Sequence, residues 1–576
     1  GCAGERLRRA LSRHLITIHA TYLVEQKHFE HHTMFLSNYT FSALAVAAAL
    51  YGLLEHWFGI FHEETEPPIL PSKIPWFGHL LGIMQHRTQY MLRLRKRSTL
   101  PIYSLPMPAG KLYVVNTPHL ITSVMKNSKT LLFGPFATKN HRRLFGVSAE
   151  AERLAQDNVD LARGPWGLWH EAVNASHVAL NPGEGLDELN RKMLQGMYGT
   201  FERLIRDTSE DPKEIGLLEW LKLELTNIVT AASYGPGNPF VDPKVGEAFW
   251  NFEENMMMVF AGIFPTVSCP KAYYGREKTI KALTAYFAAG KQHSAGHLVK
   301  GIHEHTAKYG LSHEDMARFE LATVIAMLVN TLPSAFWLLY YIYKDEKLLK
   351  DLRTEVATIV RPKEFESGVV ARTIPVADLK TKCPLLNSTW LEILRHHADG
   401  SSFREVTADT VLDQQYLLKK GNVVQMPAIV IHNDVSVWGP DAAQFDAYRF
   451  LADNDTKSDK SDATGEERRR QAKRQSVPGA FRAFGGGQTL CPGRHFVTTE
   501  LLSLTAMMIM RFDITYGSGK IEWPKLGWND KDMSAAITHP ASDIKVTVSQ
   551  RPSARGLWTF ETSQVQGYLS SDSASL

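Results

Sequence analysis

Two long apolar runs stand out from the alternation of apolar and polar positions along the chain. Residues 33–54 contain no charged side chain, and neither do residues 321–343. Because about 20 apolar residues are enough to cross a bilayer, both runs are long enough to do so. The first is followed at once by EPPILPSKIP, residues 66–75, whose prolines prevent a continuous helix. This pattern predicts a membrane helix and a stiff hinge; a buried core helix is the alternative interpretation.

The remaining pattern is mostly helical. The run 321–343 is expected to be a buried core helix, because a second membrane span would place the two halves of the globular body on opposite sides of the bilayer. Strand-like runs occur at 102–105 and 112–115, and residues 414–426 resemble a hairpin. The sequence therefore predicts a mainly α fold with a small β-sheet region, preceded by a single N-terminal membrane helix.

Composition narrows the classes of function. Of the 576 residues, 44% are hydrophobic and 22% are charged, which is typical of a globular protein with a substantial core. The net charge of +4, without a dense stripe of Lys and Arg, argues against nucleic-acid binding. The cysteines are far apart, which disfavours a disulfide framework and a cysteine-built zinc site. They are Cys2, Cys269, Cys383 and Cys491.

The strongest local feature is the segment FGGGQTLCPGR, residues 484–494, in which Cys491 follows three glycines and precedes an apolar helical pattern. Glycines allow a tightly curled backbone with inward N–H groups, and a helix N-terminus favours a thiolate. An anionic sulfur in such a loop suits an axial ligand of haem iron. A buried free cysteine beside a Gly-rich turn is the alternative. A dinucleotide fingerprint is excluded, because Leu490 stands where a glycine is required.

This segment resembles the haem-binding loop of the cytochrome P450 superfamily. Thr489, where most members have Arg or His, is similar to the branch that contains sterol hydroxylases and prostacyclin synthase. With the motifs described next, the resemblance covers roughly residues 66–550. It implies the P450 fold and a haem b whose iron is held by the thiolate of Cys491. The implied cofactor-binding residues are Cys491, Phe484, Gly485, Gly487, Arg404 and Arg494.

A second motif places Glu392 and Arg395 three positions apart, on one face of a helix. Alone, such a pair is common and contributes little. The segment FDAYRF, residues 445–450, resembles the family's meander motif, and its Arg449 is implied to complete a cluster with Glu392 and Arg395. The implied role is structural, because a desolvated carboxylate needs donors around it.

A third motif, VNTLPSAFW at residues 329–337, resembles the oxygen-binding segment of the same branch. Asn330 and Thr331 then occupy the positions of the catalytic acid–alcohol pair. Most members have Asp or Glu first, and an amide does not deliver a proton as an acid does. Pro333 removes one helical hydrogen bond and predicts a bend. For Thr331 the alternative is a helix threonine bonded to its own i−4 carbonyl.

Arg404 resembles a haem-propionate ligand, since a guanidinium binds a carboxylate through two hydrogen bonds. An ordinary surface arginine is the alternative. Arg482 and Arg494 are candidates either for docking an acidic partner or for binding the haem carboxylates. The candidates for the substrate pocket are Ser401, Ser402, Phe403, Ala536, Ile537 and Thr538.

The resemblance implies a haem-dependent monooxygenase that uses O₂ to hydroxylate a lipophilic substrate: a steroid, sterol, terpenoid or fatty-acid derivative. Electrons are expected from NADPH–cytochrome P450 reductase, with cytochrome b5 as a further candidate partner, because the chain has no flavin or nicotinamide motif. Two alternatives stay open. One is a haem-thiolate isomerase or dehydratase that acts on a lipid peroxide, and the other is a haem-bearing sterol-binding protein without turnover.

The expected location is the endoplasmic reticulum membrane, crossed once, with the catalytic domain in the cytosol. Met34 opens the first apolar run and is a candidate for the start of the chain. The expected segments are an N-terminal extension (1–32), a membrane anchor (33–61), a Pro-rich hinge (62–76), a haem-thiolate catalytic domain (77–552) and a flexible tail (553–576).

Overall fold

The computed structural model describes residues 62–364, 370–451, 477–517, 522–529 and 535–562. The expected N-terminal extension and membrane anchor, residues 1–61, lie outside this part, as do residues 563–576 of the expected tail. Within the described part helices predominate and the strands form small sheets. The expected mainly helical fold with a small β-sheet region is therefore confirmed.

Apolar residues at helical spacing account for the long helices. In the helix Glu184–Asp207, for example, Leu189, Met193 and Met197 follow one another every four positions, and all three are buried. The helices are α1 (Gly78–His86), α2 (Gln89–Arg97), α3 (Pro118–Lys126), α4 (Gly134–Thr138), α5 (His141–Phe145), α6 (Ala149–Gln156), α7 (Leu168–Leu180), α8 (Glu184–Asp207), α9 (Leu217–Tyr234), α10 (Pro243–Glu253), α11 (Met256–Ala261), α12 (Pro265–Ser268), α13 (Pro270–Ala288), α14 (His297–Ala307), α15 (His313–Leu328), α16 (Thr331–Lys344), α17 (Glu346–Ala357), α18 (Val376–Lys382), α19 (Pro384–His397), α20 (Ala428–His432), α21 (Val435–Trp438) and α22 (Arg494–Arg511).

The strands are short. They are β1 (Ile102–Met107), β2 (Gly110–Val115), β3 (Leu131–Leu132), β4 (Lys213–Gly216), β5 (Arg361–Glu364), β6 (Val370–Pro375), β7 (Ser401–Val406), β8 (Thr410–Leu412), β9 (Tyr416–Leu418), β10 (Val423–Pro427), β11 (Phe512–Tyr516), β12 (Lys545–Gln550) and β13 (Leu557–Glu561). The largest sheet has the order β1-β2-β10-β7-β3, and smaller sheets have the orders β11-β12-β4, β13-β6-β5 and β8-β9. The hairpin expected at 414–426 is wrong, because β9 pairs with β8 whereas β10 joins the largest sheet.

A long apolar helix forms the centre of the described part. Residues His313–Lys344 are the one described helix that is long and apolar enough to cross a membrane, but 67% of its apolar window is buried in the protein. It is a core helix, as expected for residues 321–343. It is broken where α15 ends at Leu328 and α16 begins at Thr331. Pro333 has no N–H to donate to the carbonyl four residues earlier, which accounts for the break.

Packing around α16 brings the distant motifs together. This helix contacts α9, α19 and α22, and α22 in turn contacts α8. Trp337 of α16 donates its indole N–H to the carbonyl oxygen of Thr538 (2.7 Å), and the Tyr343 hydroxyl donates to the carbonyl oxygen of Phe512 (3.2 Å). The end of α22, at Phe512, is thereby fastened to the end of α16, and Thr538 to its middle.

The beginning of the described chain is fastened to the largest sheet. Glu66 is buried, and its carboxylate accepts hydrogen bonds from Lys111 Nζ (2.7 and 2.8 Å) and from the Tyr113 hydroxyl (2.7 Å), both on β2. Backbone hydrogen bonds join Pro68 and Leu70 to Ser104 of β1. The segment expected to be a hinge is therefore partly bound to the sheet.

Candidate functional site

A cavity of about 750 Å³ lies between α7, α14, α15, α16 and the loop that precedes α22. Its wall is mostly apolar, and large side chains on it include Val159, Leu168, Trp169, Ile302, Phe319 and Phe496. A concave, largely hydrocarbon wall with a few polar groups is typical of a site for a small apolar ligand.

Cys491 lies on the wall of this cavity, at the end of the glycine loop. Gly485 and Gly487 have φ angles of +74° and +61°, in the left-handed region that favours glycine. The loop therefore turns tightly, and the Cys491 N–H donates to the carbonyl oxygen of Phe484 (2.9 Å). The Arg494 guanidinium donates to the carbonyl oxygen of Cys491 (2.9 Å), which ties the loop to the start of α22.

Opposing effects act on the pKa of the Cys491 thiol. Burial raises this pKa, whereas hydrogen bonds from the N–H groups of Gly493 and Arg494 and the charge of Arg494 lower it, and the net shift is upward. The N–H groups at the start of α22 are thus placed to stabilise a thiolate when a metal ion replaces the proton.

Two buried arginines lie beside the glycine loop without a carboxylate partner in the described part of the chain. Arg404 Nη2 donates to Thr489 Oγ1 (2.5 Å) and Arg482 Nη2 donates to Ser402 Oγ (3.3 Å), while Arg482 Nε has no hydrogen-bond partner. Burial lowers the pKa of each guanidinium to about 10, and the charge of Arg404 contributes to the shift of Arg482.

Two buried cations without an anion are unfavourable. The arrangement therefore fits a ligand that brings anionic groups to this place, as the carboxylates of a haem do, with Cys491 nearby as a ligand for the metal. Arg482 is only 6% exposed. Of the two roles expected for it, docking a partner protein is therefore wrong, and binding the haem carboxylates is the one that its position fits.

Asn330 and Thr331 lie at the break in the central helix and line the cavity. Asn330 Oδ1 accepts hydrogen bonds from the backbone N–H groups of Ala536 (2.7 Å) and Ile537 (3.2 Å), so the amide ties the break to a neighbouring segment. Thr331 Oγ1 donates to the carbonyl oxygen of Met327 (2.9 Å), which is the i−4 bond of the alternative interpretation. The Thr331 oxygen keeps its ability to accept a hydrogen bond from a group in the cavity.

Glu392, Arg395 and Arg449 come together away from the cavity, and none is more than 2% exposed. Arg395 donates to both Glu392 oxygens (2.7 Å each), and Arg449 Nε donates to the same oxygens at 3.1 Å. Arg395 Nη1 also donates to the carbonyl oxygens of His432 and Ala442 (2.7 Å each). The cluster joins α19 to the segment that follows α21.

The structure separates the expected pocket residues. Ala536 and Ile537 line the cavity, whereas residues 401–403 do not. The latter belong to β7, which is paired with β10 inside the largest sheet, and the Phe403 ring stacks on Phe136 with 4.8 Å between centroids. Strand pairing therefore holds these three residues away from the cavity wall.

Thr538 is also absent from the cavity wall. Its hydroxyl is hydrogen-bonded to His397 Nδ1 (2.9 Å), and its carbonyl oxygen accepts from the Trp337 indole. These bonds turn Thr538 toward α16 and α19, so its role is to fasten the segment that carries Ala536 and Ile537.

The cavity wall includes polar residues that no sequence motif marks, among them His141, His170 and His177. His170 Nε2 is hydrogen-bonded to the carbonyl oxygen of Val159 (3.1 Å), whereas His141 Nδ1 is buried without a hydrogen-bond partner. Their positions depend on the path of the chain between α4 and α7, which local sequence patterns do not determine.

A family model and individual known proteins both match this chain. The family model described as "Cytochrome P450" matches residues 276–546. A cytochrome P450 monooxygenase nodJ from Hypoxylon pulicicidum is 32% identical over 524 residues, which cover 90% of this chain and 96% of that protein. A 25-hydroxycholesterol 7-alpha-hydroxylase from Rattus norvegicus is 26% identical over 433 residues, 73% of this chain and 96% of that protein.

Solved structures show the same fold. Retinoic acid-bound cyanobacterial CYP120A1 superposes with a TM-score of 0.63 at 18% sequence identity, covering 84% of this chain and 100% of that chain. The cytochrome P450DA heme domain superposes with a TM-score of 0.61 at 16% identity, covering 85% and 98%.

Proposed function

Because the chain belongs to the cytochrome P450 family, whose curated relatives are monooxygenases, we propose that it hydroxylates a lipophilic substrate at the cavity beside Cys491. The family and the fold imply a haem with a cysteine thiolate ligand. When bound, that haem supplies the activation of O₂ and the insertion of one oxygen atom into a C–H bond. The observation that carries the proposal is the position of Cys491, the only cysteine among the described residues that lines the cavity.

The proposed roles of the chain's own residues follow from their contacts. Cys491 holds the metal, with Phe484, Gly485 and Gly487 shaping its loop, while Arg404 and Arg482 bind the anionic groups of the haem. Thr331 accepts or passes a proton at its hydroxyl oxygen, and Asn330 fixes the segment that carries Ala536 and Ile537. Glu392, Arg395 and Arg449 keep the fold around the cysteine loop in place.

The proposed substrate class is a steroid, sterol, terpenoid or fatty-acid derivative. Its support is the mostly apolar wall of a cavity of about 750 Å³ and the kinship with proteins named as sterol hydroxylases. The name of the rat relative, a 25-hydroxycholesterol 7-alpha-hydroxylase, supports a rigid polycyclic substrate in particular.

The proposed electron donor is NADPH–cytochrome P450 reductase, with cytochrome b5 as a second partner, since the sequence contains no flavin or nicotinamide motif of its own. The proposed location is the endoplasmic reticulum membrane, with residues 33–61 as anchor and residues 77–552 as the cytosolic catalytic domain. Three apolar side chains at the surface support a membrane-facing side: Ile263, Phe264 and Val267 are 65%, 79% and 79% exposed.

The decisive experiment is the absorption spectrum of the reduced, CO-treated protein. We expect the red-shifted Soret band of thiolate ligation in the parent and its loss in Cys491→Ser. Cys269→Ser is the matched control, since Cys269 is buried but does not line the cavity, and its replacement should keep the band. An unchanged band in Cys491→Ser would eliminate this residue as the ligand.

Turnover with purified reductase, NADPH and a panel of steroids and lipids then tests the reaction. Hydroxylated product that depends on NADPH and reductase supports the monooxygenase. Rearrangement of a lipid hydroperoxide without reductase would identify an isomerase, and saturable sterol binding without product under either condition would identify a binding protein.

A further inference from the structure

His141 differs from every other described residue on the cavity wall in having a buried side-chain polar atom without a hydrogen-bond partner. The residue is 7% exposed. Hydroxyl groups elsewhere on the wall are engaged by the protein: Ser176 Oγ donates to the carbonyl oxygen of Ala172 (3.1 Å), and Thr306 Oγ1 donates to that of Ile302 (2.9 Å). Buried polar groups in folded proteins are almost always paired, so His141 calls for a partner.

The neighbours of His141 hold the orientation of its ring but form no hydrogen bond with it. Trp169 and Phe319 both lie with ring centroids 5.5 Å from that of His141, and Phe145 lies at 5.7 Å. Aromatic rings at these distances pack against the imidazole and hold its direction. Nδ1 is enclosed by the protein, whereas Nε2 is not enclosed and has no hydrogen-bond partner among the described residues, so a molecule in the cavity can pair with the ring through Nε2.

The charge of His141 restricts that molecule. Burial lowers the pKa of the imidazole to about 4, so the ring is neutral at pH 7. A neutral imidazole has one donor and one acceptor nitrogen and offers no charge to a carboxylate. A hydroxyl or carbonyl oxygen is therefore the matching group.

The position of His141 restricts the shape of the molecule as well. His141 meets the central helix at Phe319, twelve residues before Thr331. At the rise of an α-helix this separation is about 18 Å along the axis. A molecule that reaches from Thr331 to His141 is elongated, with its oxygen function remote from the carbon beside Thr331.

We propose that His141 binds a hydroxyl or carbonyl oxygen at one end of an elongated, otherwise apolar substrate and so selects this substrate over the corresponding hydrocarbon. The inference rests on the proposed function, in which this cavity is the substrate site of a monooxygenase. His141 then determines specificity and orientation, while the chemistry takes place at the other end of the cavity.

The test compares ligands that are long enough and differ only in one oxygen function: cholestan-3β-ol against cholestane, and hexadecan-1-ol against hexadecane. Their dissociation constants are measured by equilibrium dialysis with the haem-loaded full chain in detergent micelles. We expect the parent to bind the oxygenated member of at least one pair about tenfold more tightly. His141→Phe should abolish this preference by weakening only the oxygenated ligand, and His141→Asn, which keeps a donor and an acceptor, should retain part of it.

Ser176→Ala is the matched control, because its hydroxyl lines the cavity but is bound to a helix carbonyl, and this variant should keep the full preference. Equal binding of both members by the parent, failure to bind any of the four ligands, or an undiminished preference in His141→Phe would each overturn the inference. If His141→Phe does not fold, the preference for the oxygenated ligand is measured in His141→Leu and His141→Asn instead. Failure of the proposed function is read separately, as a missing thiolate band or missing turnover in the parent.

Discussion

Two buried polar regions of this molecule differ in how far the protein satisfies them. In the Glu392–Arg395–Arg449 cluster, one carboxylate is surrounded by two guanidinium groups, whose further N–H groups reach backbone carbonyls. Beside the cysteine loop, Arg404 and Arg482 are equally buried but lack a carboxylate partner among the described residues. The first region is satisfied by the protein itself, whereas the second is the one that we propose the haem carboxylates complete. Buried cations without a carboxylate partner beside Cys491 are thus the feature that points to an anionic ligand at this place.

The largest effect is expected from a substitution in the Glu392–Arg395–Arg449 cluster. Glu392→Ala leaves the buried Arg395 guanidinium without its carboxylate, while Arg449 keeps Asp441 at 3.0 Å, and breaking such a buried pair costs about 3–5 kcal/mol of unfolding free energy. We expect little or no haem-loaded protein, and any that forms should have a lowered guanidinium chloride midpoint. Glu150→Ala is the control, because its pair with Arg153 is exposed and its midpoint should match the parent. An unchanged midpoint in Glu392→Ala would refute the structural role.

Thr331 shares a feature with each region. Its hydroxyl is hydrogen-bonded to the carbonyl oxygen of Met327, and the residue also lines the cavity. We expect Thr331→Ala to keep haem and substrate binding but to divert electrons into peroxide, with product formation slowed about 10²–10⁴-fold. The measurement is product formed per NADPH consumed, with peroxide assayed alongside. Ser334→Ala, another cavity-lining hydroxyl bonded to an i−4 carbonyl, should couple normally. Normal coupling in Thr331→Ala would show that Thr331 has only a structural role in the helix.

Substitution of an arginine beside the cysteine loop should weaken haem retention and leave the yield of folded protein unchanged. In Arg404→Met a haem carboxylate loses one charged partner, and a hydrogen bond to a charged group is worth about 1.5–3 kcal/mol. We therefore expect transfer of haem to apomyoglobin to become about 10- to 100-fold faster, with the yield of folded protein preserved. Arg153→Met, at the surface, should transfer haem at the parent's rate. A parental rate in Arg404→Met would argue against contact with the cofactor.

A pH-dependent effect comes from a group that is unsatisfied but does not line the cavity. Glu500 of α22 is fully buried without a hydrogen-bond partner in the described part of the chain, and burial raises its pKa to about 8. Its protonated form stabilises the fold below its ordinary pKa, and this contribution is lost as pH rises toward 8, at up to about 1.4 kcal/mol per pH unit. Glu500→Gln should flatten the fall in denaturation midpoint between pH 5 and 8, unlike the surface control Glu210→Gln. An equally steep fall would show that Glu500 does not titrate this way.

The parts of the site that were predictable from sequence lie within short segments. The glycine loop and the pair Glu392 and Arg395 were expected because a few neighbouring residues carry both the conformation and the chemistry. The strands expected at 102–105 and 112–115 were confirmed for the same reason, since they form one local hairpin. The break in the central helix followed from Pro333 alone.

Parts that depend on long-range pairing were not predictable. The hairpin expected at 414–426 was wrong because β10 gains more neighbours between β2 and β7 than β9 alone offers. The same sheet draws residues 401–403 away from the cavity, contrary to expectation. His141 reaches the site only because separate elements fold over one another, and it belongs to no pattern of residues that a single segment displays.

The fastening of Glu66 to β2 has a consequence for how far the catalytic domain can stand from the bilayer. If the uncharged run 33–54 of the proposed anchor crosses the membrane, the residues between Leu54 and Glu66 connect the two, and fully extended they span about 40 Å. That length is an upper limit on the tether. Under that proposal the domain stays within about 40 Å of the bilayer, where a lipophilic substrate dissolved in the membrane would be concentrated.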